Sequence, residues 1–261
     1  MFAPLRIKTP NPTPEPPEYS SEDALQIAYA YDEAVNSIGR GAYGHVKKVI
    51  YEGESYAVKY MRIHSRRKFM KEVENHKYLS EHPDTTHYVP KYIGYVIMKQ
   101  YGYLIQSYVH SMDFMRFLEL GRTFSKAIGE RIFHELIEAV QAFHSVGALH
   151  NDIKPENILL LLDESDHPNG HIRLIDFDTM CTLPCSITNS IGTNAYWPEF
   201  VKENSSLRFP YNTVTENYSL GIVLRAIVDS TEGMNSEKKA EIARNYLDPG
   251  VQEYRLSLIH I

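Results

Sequence analysis

The sequence predicts an α+β fold in two lobes, a β-rich N-terminal lobe over about residues 36–108 and a mainly helical C-terminal lobe over about residues 109–255. Two observations carry this. Short β-favouring runs at 45–49, 56–60 and 103–109 are separated by glycine or polar turns, with one helical stretch, 65–80, among them. Beyond Val109 the chain turns helical. Over 128–145, Ile132, Phe133, Leu136, Ile137, Val140 and Phe143 recur three and four apart, the pattern of a helix that buries one stripe.

The elements follow in order. Residues 1–20 hold six prolines, which fix φ and remove donors, so a disordered leader is expected there. Residues 22–35 read as a weak helix, and the folded domain is expected over 21–261. Apolar residues make up 43% of the 261, enough for a sizeable core. A net charge of -6, from 27 basic and 33 acidic side chains, argues against a nucleic-acid partner. No run of 18 apolar residues predicts a membrane span, and the N-terminus lacks a signal-peptide pattern. Two cysteines, Cys181 and Cys185, exclude a disulfide framework and favour a reducing, cytoplasmic setting. A monomer is expected.

The segment from Ile38 to Val46 reads G-x-G-x-x-G-x-V through Gly39, Gly41 and Gly44. Glycines let a backbone approach phosphate oxygens closely. The pattern alone also suits a Rossmann turn, but that turn opens a helix and residues 45–49 read as a strand. Lys59, in Ala57-Val58-Lys59, is a candidate phosphate ligand on the next strand. An acid must hold its ammonium. Glu72 is chosen over Glu74, because its face of the helix also carries Asn75, His76 and Leu79.

His150-Asn151-Asp152-Ile153-Lys154-Pro155-Glu156-Asn157, followed by Leu174-Ile175-Asp176-Phe177-Asp178, is the most informative stretch. Phosphoryl transfer needs alignment and charge neutralisation more than covalent chemistry. Asp152 suits orienting a substrate hydroxyl, and Lys154 neutralising the moving phosphoryl group. Asn157 and Asp176 offer oxygen ligands suited to magnesium.

Taken together, these motifs resemble the eukaryotic-type protein kinases across about residues 36–225. The resemblance implies an ATP- and Mg2+-dependent kinase acting on serine or threonine hydroxyls of a protein substrate. It adds Thr193 to the catalytic set. It makes Gln106 the gatekeeper and Ser107, Tyr108 and Val109 the hinge beside the adenine, with Val46, Ala57 and Leu159 around the ring. Four departures stand out. Asn151 replaces the usual H-R-D arginine, so control by activation-loop phosphate is not expected. Asp178 replaces the D-F-G glycine, where a left-handed backbone is expected. The segment from Gly192 to Glu199 is one residue short. His76 stands at an apolar spine position. A pseudokinase scaffold and a small-molecule kinase of the choline or aminoglycoside type are the alternatives.

The C-terminal lobe reads as incomplete. Glu216 stands where the family has an aspartate that braces the catalytic loop, and only about 40 residues follow its motif. The lack of cover predicts exposed apolar surface around Leu220, Ile222, Val223 and Ile227. Residues 256–261 read as a non-native tail, because they spell what a string resembling a sequencing-library adaptor would encode.

Overall fold

The computed structural model describes residues 16–32, 34, 37–41, 44–183, 192–198, 213–234 and 236–247. Most of the proline-rich leader, Cys185, Glu199 and the final six residues lie outside the described residues. The architecture is α+β. The chain packs as two units, residues 1–64 with 94–105 and residues 65–93 with 106–261.

The first unit is built on most of a six-stranded sheet. Its strands are β1 (Glu18–Tyr19), β2 (Ser37–Gly41), β3 (Gly44–Tyr51), β4 (Glu54–Arg62), β5 (Tyr92–Met98) and β6 (Tyr101–Ser107), in the order β1-β5-β6-β4-β3-β2. Residues 18–20, which the expected leader included, instead join the sheet. Glu18–Tyr19 pairs antiparallel with β5, and Ser20 caps that pairing by donating its backbone N–H to Tyr95 O. Helix α1 (Glu22–Ala30) starts at Ser21, whose hydroxyl accepts the Ala24 N–H at 3.2 Å, and buries Ala24, Leu25, Ile27 and Ala28.

Four tyrosines knit α1 to this sheet. Tyr31 stacks on Tyr60 at 5.3 Å, Tyr60 stacks on Tyr101 at 5.1 Å, and Tyr103 meets Tyr31 edge-on at 5.7 Å. Lys47 Nζ sits 4.5 Å over the Tyr31 ring. Burial, then the charge of Asp32, pushes the Tyr103 hydroxyl up to about 12. The folded value lies above the unfolded one, so this contribution to stability is complete below pH 10 and is lost as pH rises towards 12. Thermal denaturation should show Tm falling across that window, and Tyr103→Phe should flatten the fall. An unchanged slope in the variant would discount the Tyr103 contribution.

The second unit holds helix α2 (Arg66–Glu81), strands β7 (Ser111–Asp113), β8 (Ala148–Leu149), β9 (Ile158–Leu162), β10 (Pro168–Leu174) and β11 (Cys181–Thr182), and helices α3 (Phe114–Glu119), α4 (Lys126–Ser145), α5 (Thr213–Asp229) and α6 (Ser236–Ile242). The α4 stripe Ile132, Phe133, Leu136, Val140 and Phe143 is buried as its spacing predicts. Residues 163–167 connect β9 to β10. Asp163 closes the β9–β10 turn by accepting the Ser165 and His167 N–H groups at 2.8 and 3.0 Å, which hold its carboxyl below the usual range.

The expected exposed apolar face on α5 is corrected. Leu220, Val223, Leu224, Ile227 and Val228 are all 2% exposed or less. They join one core with α4, with Ile242 of α6, and with Tyr246 and Leu247 of the π-helical turn Ala243–Leu247. Residues after α5 thus cover the stripe that the sequence left bare. No helix among the described residues is long and apolar enough to cross a membrane.

Candidate active site

On the first unit, β2 and β3 pair with Gly39 opposite Val46 and Gly41 opposite Gly44. The β3–β4 register then sets Val46 opposite Lys59 and Lys48 opposite Ala57. Directly opposed residues share a face, and so do residues two apart. Val46, Ala57 and Lys59 therefore point to one side of the sheet, next to the glycine hairpin. Gly44 is required on steric grounds, because a Cβ there would run into the Tyr60 carbonyl. Ile38 is exposed, and Ala57 is buried.

On the second unit, Ser65 opens α2 by accepting the Lys68 N–H at 3.4 Å. Glu72, His76 and Leu79 are buried, whereas Glu74 is exposed. Asn75 donates to the backbone oxygens of Phe177 and Met180 at 2.8 and 3.3 Å, tying the helix to the segment that follows Asp176. His76 lies 5.1 Å from the Phe177 ring, and its Nε2 donates to Pro90 O at 2.8 Å. That bond explains how an imidazole occupies an apolar position. A buried polar group is tolerated when it is bonded. Phe177 in turn meets His150 edge-on at 5.5 Å, and His150 stacks with Phe143.

The catalytic-loop residues converge. Thr193 Oγ1 donates to Asp152 Oδ1 at 2.8 Å, and Lys154 Nζ reaches Asp152 Oδ2 at 2.6 Å and Thr193 Oγ1 at 2.8 Å. Asn157 Nδ2 donates to Asp152 O at 2.9 Å and to Asp152 Oδ2 at 3.0 Å. Asp152 is 9% exposed, so these charge-assisted bonds are partly shielded from water. His150 fixes the loop from within. Its Nε2 donates to Ile175 O at 3.0 Å, while its Nδ1 accepts the Asp152 N–H at 3.3 Å. Gly192, at φ 86, places Thr193. A Cβ there would collide with the Asn151 carbonyl.

Two backbone departures have physical causes. The left-handed residue is Asp176, at φ 70, and Asp178 is absent from the positive-φ residues. Aspartate tolerates that region at either place, so the expectation for Asp178 is corrected. Asn151 is also left-handed, at φ 64. Its Nδ2 donates inward to Thr179 O at 3.2 Å and Cys181 Sγ at 3.1 Å. No guanidinium reaches outward from this position. Cys181 is disulfide-bonded, which counts against the reducing setting expected from the cysteine count. A single crosslink needs only one neighbouring thiol, not a framework.

Glu216 is 2% exposed and accepts the Asn151 N–H at 2.8 Å and His144 Nε2 at 3.1 Å. The brace expected of Glu216 is present. His144 is a partner that sequence reasoning missed. It lies in the last turn of α4, one residue past buried Phe143, and its only sequence signal was a histidine beside an otherwise apolar stripe.

Of the hinge candidates, Gln106, Tyr108 and Val109 are partly buried, and Leu159 on β9 pairs with Arg173 and Asp113. No cluster of three or more His, Cys, Asp or Glu able to hold a metal occurs among the described residues.

Residues 33–257 match the protein kinase domain family. Among curated proteins, the chain is 26% identical over 228 residues to "Dual specificity protein kinase Ttk" of Danio rerio, covering 82% of this chain and 22% of that protein. It is 25% identical over 227 residues to "cAMP-dependent protein kinase, catalytic subunit-like" of Caenorhabditis briggsae, covering 80% and 53%. It is 33% identical over 147 residues to "Serine/threonine-protein kinase CBK1" of Pneumocystis carinii, covering 55% and 28%. The matched lengths span from about a fifth to about half of these relatives.

Proposed function

Since this chain belongs to the protein kinase domain family, we propose that it transfers the terminal phosphoryl group of ATP, with Mg2+, to serine or threonine hydroxyls of protein substrates. The observation that carries this reading is the closed set of contacts among Asp152, Lys154 and Thr193. Asp152 would accept the hydrogen of the attacking hydroxyl and hold its oxygen in line. Lys154, already beside that carboxylate, would balance charge as the phosphoryl group moves. Thr193 would hold both in place.

The residues fit magnesium and nucleotide. Both amide hydrogens of Asn157 are spent on Asp152, which leaves its Oδ1 as the oxygen it can offer. With the Asp176 carboxylate this is a hard-oxygen pair, sparse enough to leave room for phosphate oxygens, as Mg2+ prefers. Bound Mg2+ would supply charge neutralisation at the phosphates. On the first unit, Gly39, Gly41 and Gly44 would approach the phosphates, Lys59 would bind them, and Ile38, Val46 and Ala57 would pack on the base. On the second unit, the resemblance assigns Glu72, Gln106, Tyr108, Val109 and Leu159 to nucleotide. A monomer with no nucleic-acid or membrane partner completes the proposal.

Phosphoamino-acid analysis of a labelled peptide library tests the specificity. Phosphoserine and phosphothreonine are the expected products. Dominant phosphotyrosine, or transfer to choline or an aminoglycoside in place of peptide, would overturn it.

A further inference from the structure

Within the second unit, a cleft of about 410 Å³ borders the proposed hinge, sharing Ser107 and Val109 with it, and otherwise draws on residues to which the proposed chemistry assigns no role. It is large enough for a small ligand. Its walls come from three places: Thr86 and His87 after α2, Lys91 and Ser107 at the ends of β5 and β6, and Arg173 on β10. Val89, Pro90 and Val109 supply the apolar remainder, and no carboxylate lines it.

The polar lining is one-sided. Lys91 and His87 are exposed at the rim. Arg173 lies deeper, with its side chain only 18% exposed. One of its nitrogens is committed to Ile172 O at 2.6 Å. The nearest carboxylate, Glu135, stands 3.9 Å away and is already shared. Its Oε1 accepts the Ile172 N–H at 3.2 Å, and its Oε2 accepts His171 Nδ1 at 2.8 Å. Burial lowers the Arg173 pKa, with the Glu135 charge opposing that shift only in part. A guanidinium that is desolvated and incompletely neutralised favours an incoming anion. Ser107 Oγ accepts the Lys91 N–H at 3.0 Å, so its own hydrogen is directed elsewhere. Residues that carry ammonium, guanidinium, hydroxyl and imidazole groups thus line one cavity.

We propose that this cleft binds an oxyanion, a phosphate monoester or carboxylate carried by a free small molecule or by a protein side chain. The Lys91 ammonium would draw the anion in at the rim. Arg173 would take it bidentately below, and the Ser107 and Thr86 hydroxyls would complete its hydrogen bonds.

The test is a titration of the ¹⁵N-labelled full chain, with ADP and Mg2+ present throughout to occupy the nucleotide-binding residues. One arm uses inorganic phosphate and the other a short phosphoserine peptide. Saturable shifts of the Thr86, Lys91 and Ser107 amides are expected, with a Kd on the order of millimolar for phosphate. Lys91→Glu, at an exposed position, should weaken binding about tenfold or more, as expected for loss of a charge-assisted bond, and leave peptide phosphorylation unchanged. Tighter binding of the peptide would assign the anion to a protein partner, and equal binding would assign it to a free small molecule. No saturable shift at these amides, or equal binding by a folded Lys91→Glu variant, would overturn the proposal.

Discussion

Asp152→Asn should lower turnover on peptide by about 10²–10⁴-fold, the usual contribution of a positioned general base. The side chain keeps its shape, and an amide oxygen can still accept from Thr193 as the carboxylate does at 2.8 Å. The Lys154 contact at 2.6 Å loses its charge complement, but Lys154 keeps its bond to Thr193. The fold should therefore survive, with a Tm close to that of the parent. ATP affinity should change little, because Asp152 is not among the residues assigned to nucleotide. Full activity in the variant would remove Asp152 from its role. A variant that unfolds would mean that its hydrogen bonds matter more for structure than for chemistry.

Glu216→Ala should be the most disruptive single change away from the reacting groups. It removes the acceptor for the Asn151 N–H and for His144 Nε2 inside the core. A buried donor left unmade costs about 1–3 kcal/mol. In a domain of this size that is a loss of several degrees in Tm, at about 2–4 °C per kcal/mol. Turnover should fall further than stability accounts for. Asn151 immediately precedes Asp152, and a displacement of about 1 Å in a positioned group costs about 10²-fold. Glu216→Gln keeps an acceptor for the backbone N–H and should recover part of both losses. Calorimetry beside steady-state kinetics separates the two effects. An alanine variant with parental Tm and kcat would show that the brace contributes nothing.

The sequence made the candidate site more legible than the packing around it. Asp152, Lys154 and Asn157, which the structure brings into contact, were singled out with Asp176 because phosphoryl transfer calls for particular groups at short spacings. Thr193 came only through family resemblance, since nothing local links it to a residue 41 positions away. Glu72 was chosen by helical face, and burial separates it from exposed Glu74 for the same periodic reason. What failed was long-range. The α5 stripe looked bare because its cover, from Ile242 to Leu247, comes from short helical turns with weak patterning. The β1 pairing was hidden in a proline-rich stretch, where two residues suffice for a strand. His144 and Asn75 were missed in their roles because a lone polar residue on a helix gives no sign of the buried backbone or carboxylate it will meet. The left-handed backbone was assigned to the wrong aspartate because both lie in one short motif and share the same tolerance.

The most direct measurement is transfer of labelled γ-phosphoryl from ATP to a serine- and threonine-containing peptide library, with and without Mg2+, by the wild-type chain. The account predicts Mg2+-dependent label on peptide hydroxyls, abolished when Asp176→Ala removes one of the two proposed metal ligands. Nucleotide binding with no transfer to any peptide would contradict it and leave the chain a scaffold.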